Sequence, residues 1–343
     1  RYHKVTGVQT CALPISMLTR IANRVMSKSV TCSASTSVQR ICQSGILPEG
    51  STSAYYGIYN LDYSKLSSKS GRAKLLSAIK SFPSVLENVS ESMQTQTVGT
   101  VSFGKKAWEY LASGREDLLK VAEDLVSFPG YGMAPATQTD IYIHIHSKKD
   151  SATFEASKLA LSLFNGDDAL LSVVDEKNGF MYKDSRDLTG FIDGTENPHG
   201  MESRVKAGLR EDGSSYVIVQ RFVHNLSKWE KVDTKEQERV IGRTKHDSVQ
   251  LRPVPSNSHV GRTDLKENGK GLKIVRQSLP YGIAGSEMGL WFTAYCGQLH
   301  NIDEIEKSLY GQRDGVTDRL MSYITPVTGA YFFVPSLDMI KEL

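Results

Sequence analysis

The sequence predicts an α+β fold with antiparallel sheets, built as two halves of similar length. Three observations point to it. Short runs rich in β-branched and aromatic residues are interleaved with amphipathic stretches of helical period. Their order does not follow the strict βα alternation that a parallel sheet imposes. The pattern also occurs twice, on either side of an Asp- and Gly-rich stretch at 184–212. A chain of 343 residues has room for two domains, or for one duplicated domain that shares a site.

In the first half, 55–63 reads as a strand, followed by a helix over 71–89 with Leu75, Leu76, Ile79 and Phe82 on its apolar side. Strands are predicted at 97–103 and 140–146. A helix follows over 151–164, its apolar residues being Phe154, Leu159, Leu161 and Leu163, and then a strand at 169–174. In the second half the expected order is a strand at 216–224, a helix at 235–241, a strand at 289–295, helices at 302–310 and 316–324, and a closing strand at 330–334. The halves are assigned to 44–185 and 186–343, with the bridge between them as the place where a ligand sits.

Residues 1–43 form an N-terminal extension. Its first Met is Met17, and 1–16 read as read-through or appended sequence outside the fold. From Met17, Leu18, Ile21 and Val25 recur at helical spacing beside a basic row of Arg20, Arg24 and Lys28, and a Ser/Thr-rich stretch follows. Such a basic, acid-free segment at 17–43 fits either a transit peptide, mitochondrial rather than plastid, or a disordered tail. The expected location is therefore cytoplasmic or mitochondrial. Residues 1–48 hold six basic residues and no acid, which exceeds the whole net charge of +3. The rest of the chain is mildly acidic, which argues against a nucleic-acid partner. No run of about 20 apolar residues suggests a membrane span. Cys11, Cys32 and Cys42 lie in the extension, leaving Cys296 alone in the body, so no disulfide forms within it and a reducing compartment is expected.

The bridging stretch contains GFIDGTENP at 190–198. Glycines on both sides of Asp193 let the backbone turn tightly and approach a ligand closely. GxxDG alone also describes an exposed Asp-Gly turn. With its flanks, the segment resembles the signature of the dye-decolourising peroxidases. The resemblance runs from SGILPE at 44–49 to the C-terminus, through FPGYG (128–132), DIYIHIHS (140–147), ERVIGRTK (238–245), SHVGRTDL (258–265), KIVRQSLPYG (273–282) and PVTGAYFFVPSLD (326–338). Within the family it is most similar to the compact bacterial B-type enzymes.

The resemblance implies two ferredoxin-like halves with haem b bound in the second. It also implies hydrogen peroxide and a small dye-like or phenolic electron donor as partners, and a homo-oligomer. His259 matches the axial iron ligand, a neutral imidazole that favours O–O cleavage. Asp193 matches the distal carboxylate that shuttles a proton between the peroxide oxygens. Arg276 matches the distal arginine that stabilises developing negative charge. Ser278 stands where some B-type members have Asn, still a hydrogen-bonding group for the distal side of the cofactor. Arg243 is the candidate partner of a haem propionate, with a surface salt bridge as the alternative. His144 and His146, two apart on one strand, face one side and are read as structural. His199, His224, His246 and His300 are read as ordinary. A second class of function stays open, a haem- or porphyrin-handling protein with incidental peroxidase turnover. A third, cargo inside a protein shell, is disfavoured by the lack of a tail beyond SLDMIKEL.

Overall fold

The computed structural model describes residues 37–39, 41–166 and 169–343. The predicted transit-peptide helix and the appended stretch lie outside the described residues. Eight strands carry the architecture: β1 (Ser53–Leu61), β2 (Thr97–Phe103), β3 (Ile141–Ser147), β4 (Leu171–Phe180), β5 (Ser215–His224), β6 (Leu279–Gly282), β7 (Met288–Cys296) and β8 (Ala330–Val334). β1 to β4 lie in the order β2-β3-β1-β4, and β5 to β8 repeat it as β6-β7-β5-β8. That shared order is the ferredoxin-like arrangement, present twice. The halves do not form separate sheets. β8 meets β2 at Phe333 and Phe103, and β4 meets β6 at Gly179 and Tyr281, so the strands close into one antiparallel ring. Closure removes the edges that two open sheets would expose.

Alternation along the strands explains the two faces of this ring. In β3, Ile141, Ile143 and Ile145 join the hydrophobic core under the helices, while Tyr142, His144 and His146 take the other face. The inward rings stack: His144 lies 4.6 Å from His146 and 5.1 Å from Tyr56, which lies 5.4 Å from Trp291. His144 Nδ1 meets Tyr295 Oη at 2.8 Å. His146 uses both ring nitrogens, Nε2 donating to Gly45 O at 2.9 Å and Nδ1 meeting Ser51 Oγ at 2.6 Å. Burial keeps both imidazoles neutral, with His146 lowered to about 4.

The helices used below are α1 (Lys69–Ser92), α2 (Asp150–Asn165), α3 (Met201–Gly208), α4 (Thr234–Ile241), α5 (His259–Thr263) and α6 (Leu299–Leu309). Ser68 caps α1 by accepting from Gly71 N, and its buried stripe is Leu75, Ala78, Ile79, Phe82, Leu86 and Val89. One segment shows which residues close packing selects, and another departs from the sequence expectation. In α2 the buried side is Ala152, Ala156, Ala160 and Phe164, whereas Phe154 is 61% exposed and Leu159 37%. The helix packs closely on α1 and the sheet, and small residues at i, i+4 and i+8 permit that approach. The helix expected at 316–324 is instead a 3-10 turn, Arg319–Ser322, followed by a short strand, Ile324–Pro326, that pairs with β5. Tertiary hydrogen bonds to Asp318 and Arg319, described below, override the local helical pattern. Cys42 and Gln43, assigned to the extension, are buried in the fold. The Gln43 amide donates to Val101 O (2.9 Å) and Pro335 O (3.0 Å) and accepts from Val101 N (2.8 Å). Among the described residues no helix is long and apolar enough to cross a membrane.

Candidate active site

In the second half, a cavity of about 1440 Å³, open mouth included, is lined by Phe222 of β5, Leu290 and Phe292 of β7, and Ile305 and Leu309 of α6. Asp193, Arg243, His259 and Arg276, which lie far apart in sequence, all line it.

His259 is the first residue of α5, and the hydroxyl of Ser258 caps this short helix by accepting from Gly261 N. The imidazole Nδ1 is 2.7 Å from Asp318 Oδ2. Asp318 is itself buried, and its other oxygen accepts from Leu320 N at 2.8 Å. Arg319 N donates to Asn257 O at 2.9 Å, fastening the same turn to the residue before the cap. A buried carboxylate at Nδ1 fixes the proton there and leaves Nε2 as a lone-pair donor. With its side chain 33% exposed, His259 offers that nitrogen to the cavity.

Asp193 and Arg276 meet across the cavity wall, Arg276 Nη1 lying 3.3 Å from Asp193 Oδ1. The loop around Asp193 is held in three ways. Asp193 N donates to Ser185 O, and Oδ1 accepts from Gly194 N at 2.6 Å, where Gly194 takes a left-handed φ of 84°. Asn197 then clamps the strand that carries Arg276: its Oδ1 accepts from Arg276 N and its Nδ2 donates to Arg276 O, both at 2.9 Å. The TEN portion of the motif thus sets the register between the acid and the arginine.

Arg243 is buried at the cavity edge, where it pairs with Glu196 and donates from Nη1 to Ser248 O at 2.7 Å. Lys273 Nζ lies 3.6 Å from the other Glu196 oxygen. Two cations therefore flank one carboxylate at the mouth. Ser278 is not brought to this cavity. Its Oγ accepts from Thr293 N at 3.0 Å, so the hydroxyl is engaged with the β7 backbone. It lines a second cavity, with Glu49, His146 and Arg204, which shares Asp193, Gly194 and Arg276 with the first. The Asp193–Arg276 pair is the partition between the two.

Sequence reasoning missed several polar groups at the site. Asp318 sits in a plain GVTDRL segment and carries no motif signal. Asn197 was in view within the motif, and its amide was the clue to a backbone clamp. His224, read as ordinary, lines the cavity with Nδ1 3.7 Å from Asp187 Oδ2. Asp187 in turn accepts from Thr189 N and Oγ1, and Trp229 Nε1 donates to Thr189 O at 2.8 Å, anchoring the start of the loop. Glu306 of α6 is fully buried in the cavity lining, and burial pushes its carboxyl up to about 8 despite the Gln220 amide beside it. It is a neutral acid at pH 7, and its Oε2 and Gln220 Oε1 both lack partners among the described residues.

The site is thus a largely apolar cavity into which the carboxylate-oriented His259 faces, with a paired carboxylate and arginine on its wall. The family model "Dyp-type peroxidase, N-terminal" matches residues 43–181, and "Dyp-type peroxidase, C-terminal" matches 184–339. A dye-decolorizing peroxidase of Mycobacterium tuberculosis is 38% identical over 255 residues, covering 71% of this chain and 74% of that protein. Among solved structures, a dye-decolorizing protein from V. cholerae is 42% identical, with a TM-score of 0.77 over 88% of this chain and 99% of that one. A variant of Rhodococcus jostii RHA1 DypB in complex with heme is 29% identical, with a TM-score of 0.76 over 88% of this chain and 98% of that one. The chain belongs to the Dyp-type peroxidase family and is a Dyp-type peroxidase.

Proposed function

We propose that the cavity holds haem b and that peroxide is reduced there at the expense of dye-like or phenolic electron donors. The convergence on one cavity of His259, Asp193, Arg276 and Arg243 carries this reading. The residues fit the group. The walls are apolar, Nε2 of His259 is free to bind iron, and Arg243 and Lys273 bring positive charge to the edge where propionates would lie. Haem supplies the redox chemistry of peroxide reduction when bound.

The protein's own groups do the rest. Asp318 holds the proton on His259 Nδ1 and strengthens Nε2 as a donor. A carboxylate oxygen of Asp193 takes the proton from the incoming peroxide and returns it to the departing oxygen. Arg276 neutralises charge that develops on that oxygen and holds Asp193 in place. The second cavity, lined in part by Glu49, His146, Arg204 and Gln277 and opening on the same pair, supports a separate route for peroxide, with Ser278 as part of its wall. Exposed Phe154 and Leu159 support self-association, and the acid-free basic stretch from Met17 supports mitochondrial import; without it the chain stays in the cytoplasm.

The test is peroxide-dependent donor oxidation by Asp193→Asn, Arg276→Leu and the double variant, each loaded with haem and checked by its Soret band. Losses of about 10²–10⁴ are expected for the single variants. A double variant that reduces peroxide at the parental rate refutes the assignment. Supplying haem without peroxide and following iron release separates this reading from haem handling.

A further inference from the structure

Every acid on the wall of the first cavity except one has its charge matched or hydrated. Asp193 pairs with Arg276, and Glu196 with both Arg243 and Lys273. Asp187 accepts from Thr189 N and Oγ1 and lies 3.7 Å from His224 Nδ1, and Asp264 is exposed to water. Glu306 is 1% exposed, and its Oε2 has no hydrogen-bond partner among the described residues. No cation of the lining is left for it, because Arg243, Lys273 and Arg276 are all taken by other carboxylates.

The elements packed around Glu306 keep it isolated. Lys307, its neighbour on α6, is drawn to Asp303 at 2.7 Å and to Glu304 at 2.9 Å, and the Asp303 carboxylate adds repulsion. β5 presents the neutral amide of Gln220. Tyr310 of α6, Tyr331 of β8 and Tyr131 of the FPGYG segment present phenols that burial keeps protonated. On α5, Arg262 donates to Ser308 O and pairs with Asp314, while His259 is tied to Asp318. A carboxyl in such surroundings releases its proton readily only when positive charge appears close by. Behind an apolar wall the field of such a charge is weakly screened, so a change in the cavity's contents by one unit is felt at Glu306.

We propose that Glu306 is the proton-coupled partner of the redox cofactor, losing a proton when the cofactor loses an electron and regaining it when the electron returns, and so sets how the oxidising strength of the site varies with pH. This rests on the cavity holding the cofactor proposed above. When a donor gives one electron to the bound cofactor, the Glu306 carboxylate takes one proton from water in the cavity mouth. When one electron leaves, that proton returns to water. Electron and proton binding then favour each other by the same factor. Glu306 is a positioning residue in this scheme, acting through its charge.

The experiment is a reductive titration of the haem-loaded full chain with dithionite and redox mediators, the one-electron midpoint being read from the Soret band across a pH series. The parent midpoint is expected to fall as pH rises from about pH 6 to about pH 9. Glu306→Gln keeps the shape but cannot ionise. Its midpoint is expected to match the parent at the acid end and to exceed it at the alkaline end by at least about 59 mV, the equivalent of a tenfold shift in a one-electron equilibrium. Glu306→Leu is expected to share this flatter profile, and Glu306→Asp to restore the slope. Proton uptake by the parent on reduction, followed with an indicator dye in weak buffer, needs no variant, and its absence overturns the proposal. A gap between Glu306→Gln and parent that is the same at every pH also overturns it, since a merely structural role shifts all points alike. Either result leaves the cavity reading intact, whereas a chain that gives no Soret band with haem overturns both.

Discussion

Replacing Asn197 by Ala tests whether the GFIDGTENP loop sets the chemistry or merely carries Asp193. The side chain makes two hydrogen bonds with one residue, accepting from Arg276 N and donating to Arg276 O, each 2.9 Å long and partly buried. A net hydrogen bond is worth about 1 kcal/mol, and a backbone group left dry costs about 1–3 kcal/mol. Alanine therefore removes about 2 kcal/mol if water reaches both groups, and about 4 kcal/mol if it does not. At about 2–4 °C per kcal/mol, Tm falls by roughly 4–16 °C. The same change frees the strand carrying Arg276 from the loop carrying Asp193, leaving the 3.3 Å pair between them to hold the register. The rate of reaction with peroxide is expected to drop by about tenfold or more, since small misplacements of catalytic groups are costly. Asn197→Asp sharpens the test. Ionised, it keeps the acceptor for Arg276 N but turns a carboxylate toward Arg276 O; protonated below about pH 4, it recovers the missing donor. Its stability deficit should therefore shrink on acidification. Thermal unfolding and stopped-flow peroxide kinetics on haem-loaded protein are the assays. An Asn197→Ala protein with parental Tm and parental peroxide rate refutes the clamp.

Other perturbations follow from the same geometry. Asp318→Asn keeps the shape beside His259 Nδ1 but removes the carboxylate, and haem affinity measured by transfer to apomyoglobin should fall about 10–100-fold. Glu306 has a folded pKa of about 8, above its unfolded value, so its protonated form stabilises the fold fully below about pH 4.5. That contribution, a few kcal/mol at most, is lost as pH rises toward 8, and urea unfolding should show it vanish in Glu306→Gln. Gly289→Ala would drive a Cβ into Phe222 O, where β7 pairs with β5 to close the ring. Destabilisation of about 3 kcal/mol or more is expected, read as loss of soluble protein or a lowered denaturation midpoint.

Much of this was legible in the sequence, for physical reasons that differ by element. The strands at 97–103 and 330–334 were placed to the residue because β-branched and aromatic content agrees there with burial on both sides of a closed ring. Asp193, His259 and Arg276 could be named because each sits in a distinctive local segment. What escaped was determined by partners distant in the chain. Asp318 is defined by a histidine 59 residues earlier, and its demands turn a helical-looking segment into a single 3-10 turn. Ser278 was given to the distal side of the cofactor by resemblance, as the position where some B-type members have Asn, and not by any feature of its own strand. Here the strand is not regular: pairing stops after Arg276 and resumes at Leu279, and the break between turns the Ser278 hydroxyl to Thr293. The large apolar residues of α2 were legible, but its buried side was not, because close packing on α1 selects alanine there while Leu161 and Leu163 are only partly buried against the core.

The duplication also explains why one half holds the site and the other does not. Both halves have the same strand order, and in both the helix-facing surface of the ring is apolar. In the first half, α1 is 24 residues long and joins α2 in covering that surface, so Tyr59, Ile143 and Val101 are buried beneath Ile79, Phe82 and Ala156. In the second half the corresponding helix, α4, has 8 residues, and the chain between it and β6 is spent on the turns that carry Arg243 and His259. A short helix cannot cover the outward residues of β5. Phe222 and Leu290 are therefore left facing a cavity instead of a helix, while Ile218 and Ala294, further along the same strands, remain in the core. An apolar wall of that size gains about 25 cal/mol per Å² when a ligand covers it. A short helix at this place in a duplicated pair leaves apolar space beside β5 and β7, and the chain that follows it carries Arg243 and His259, both of which line that space.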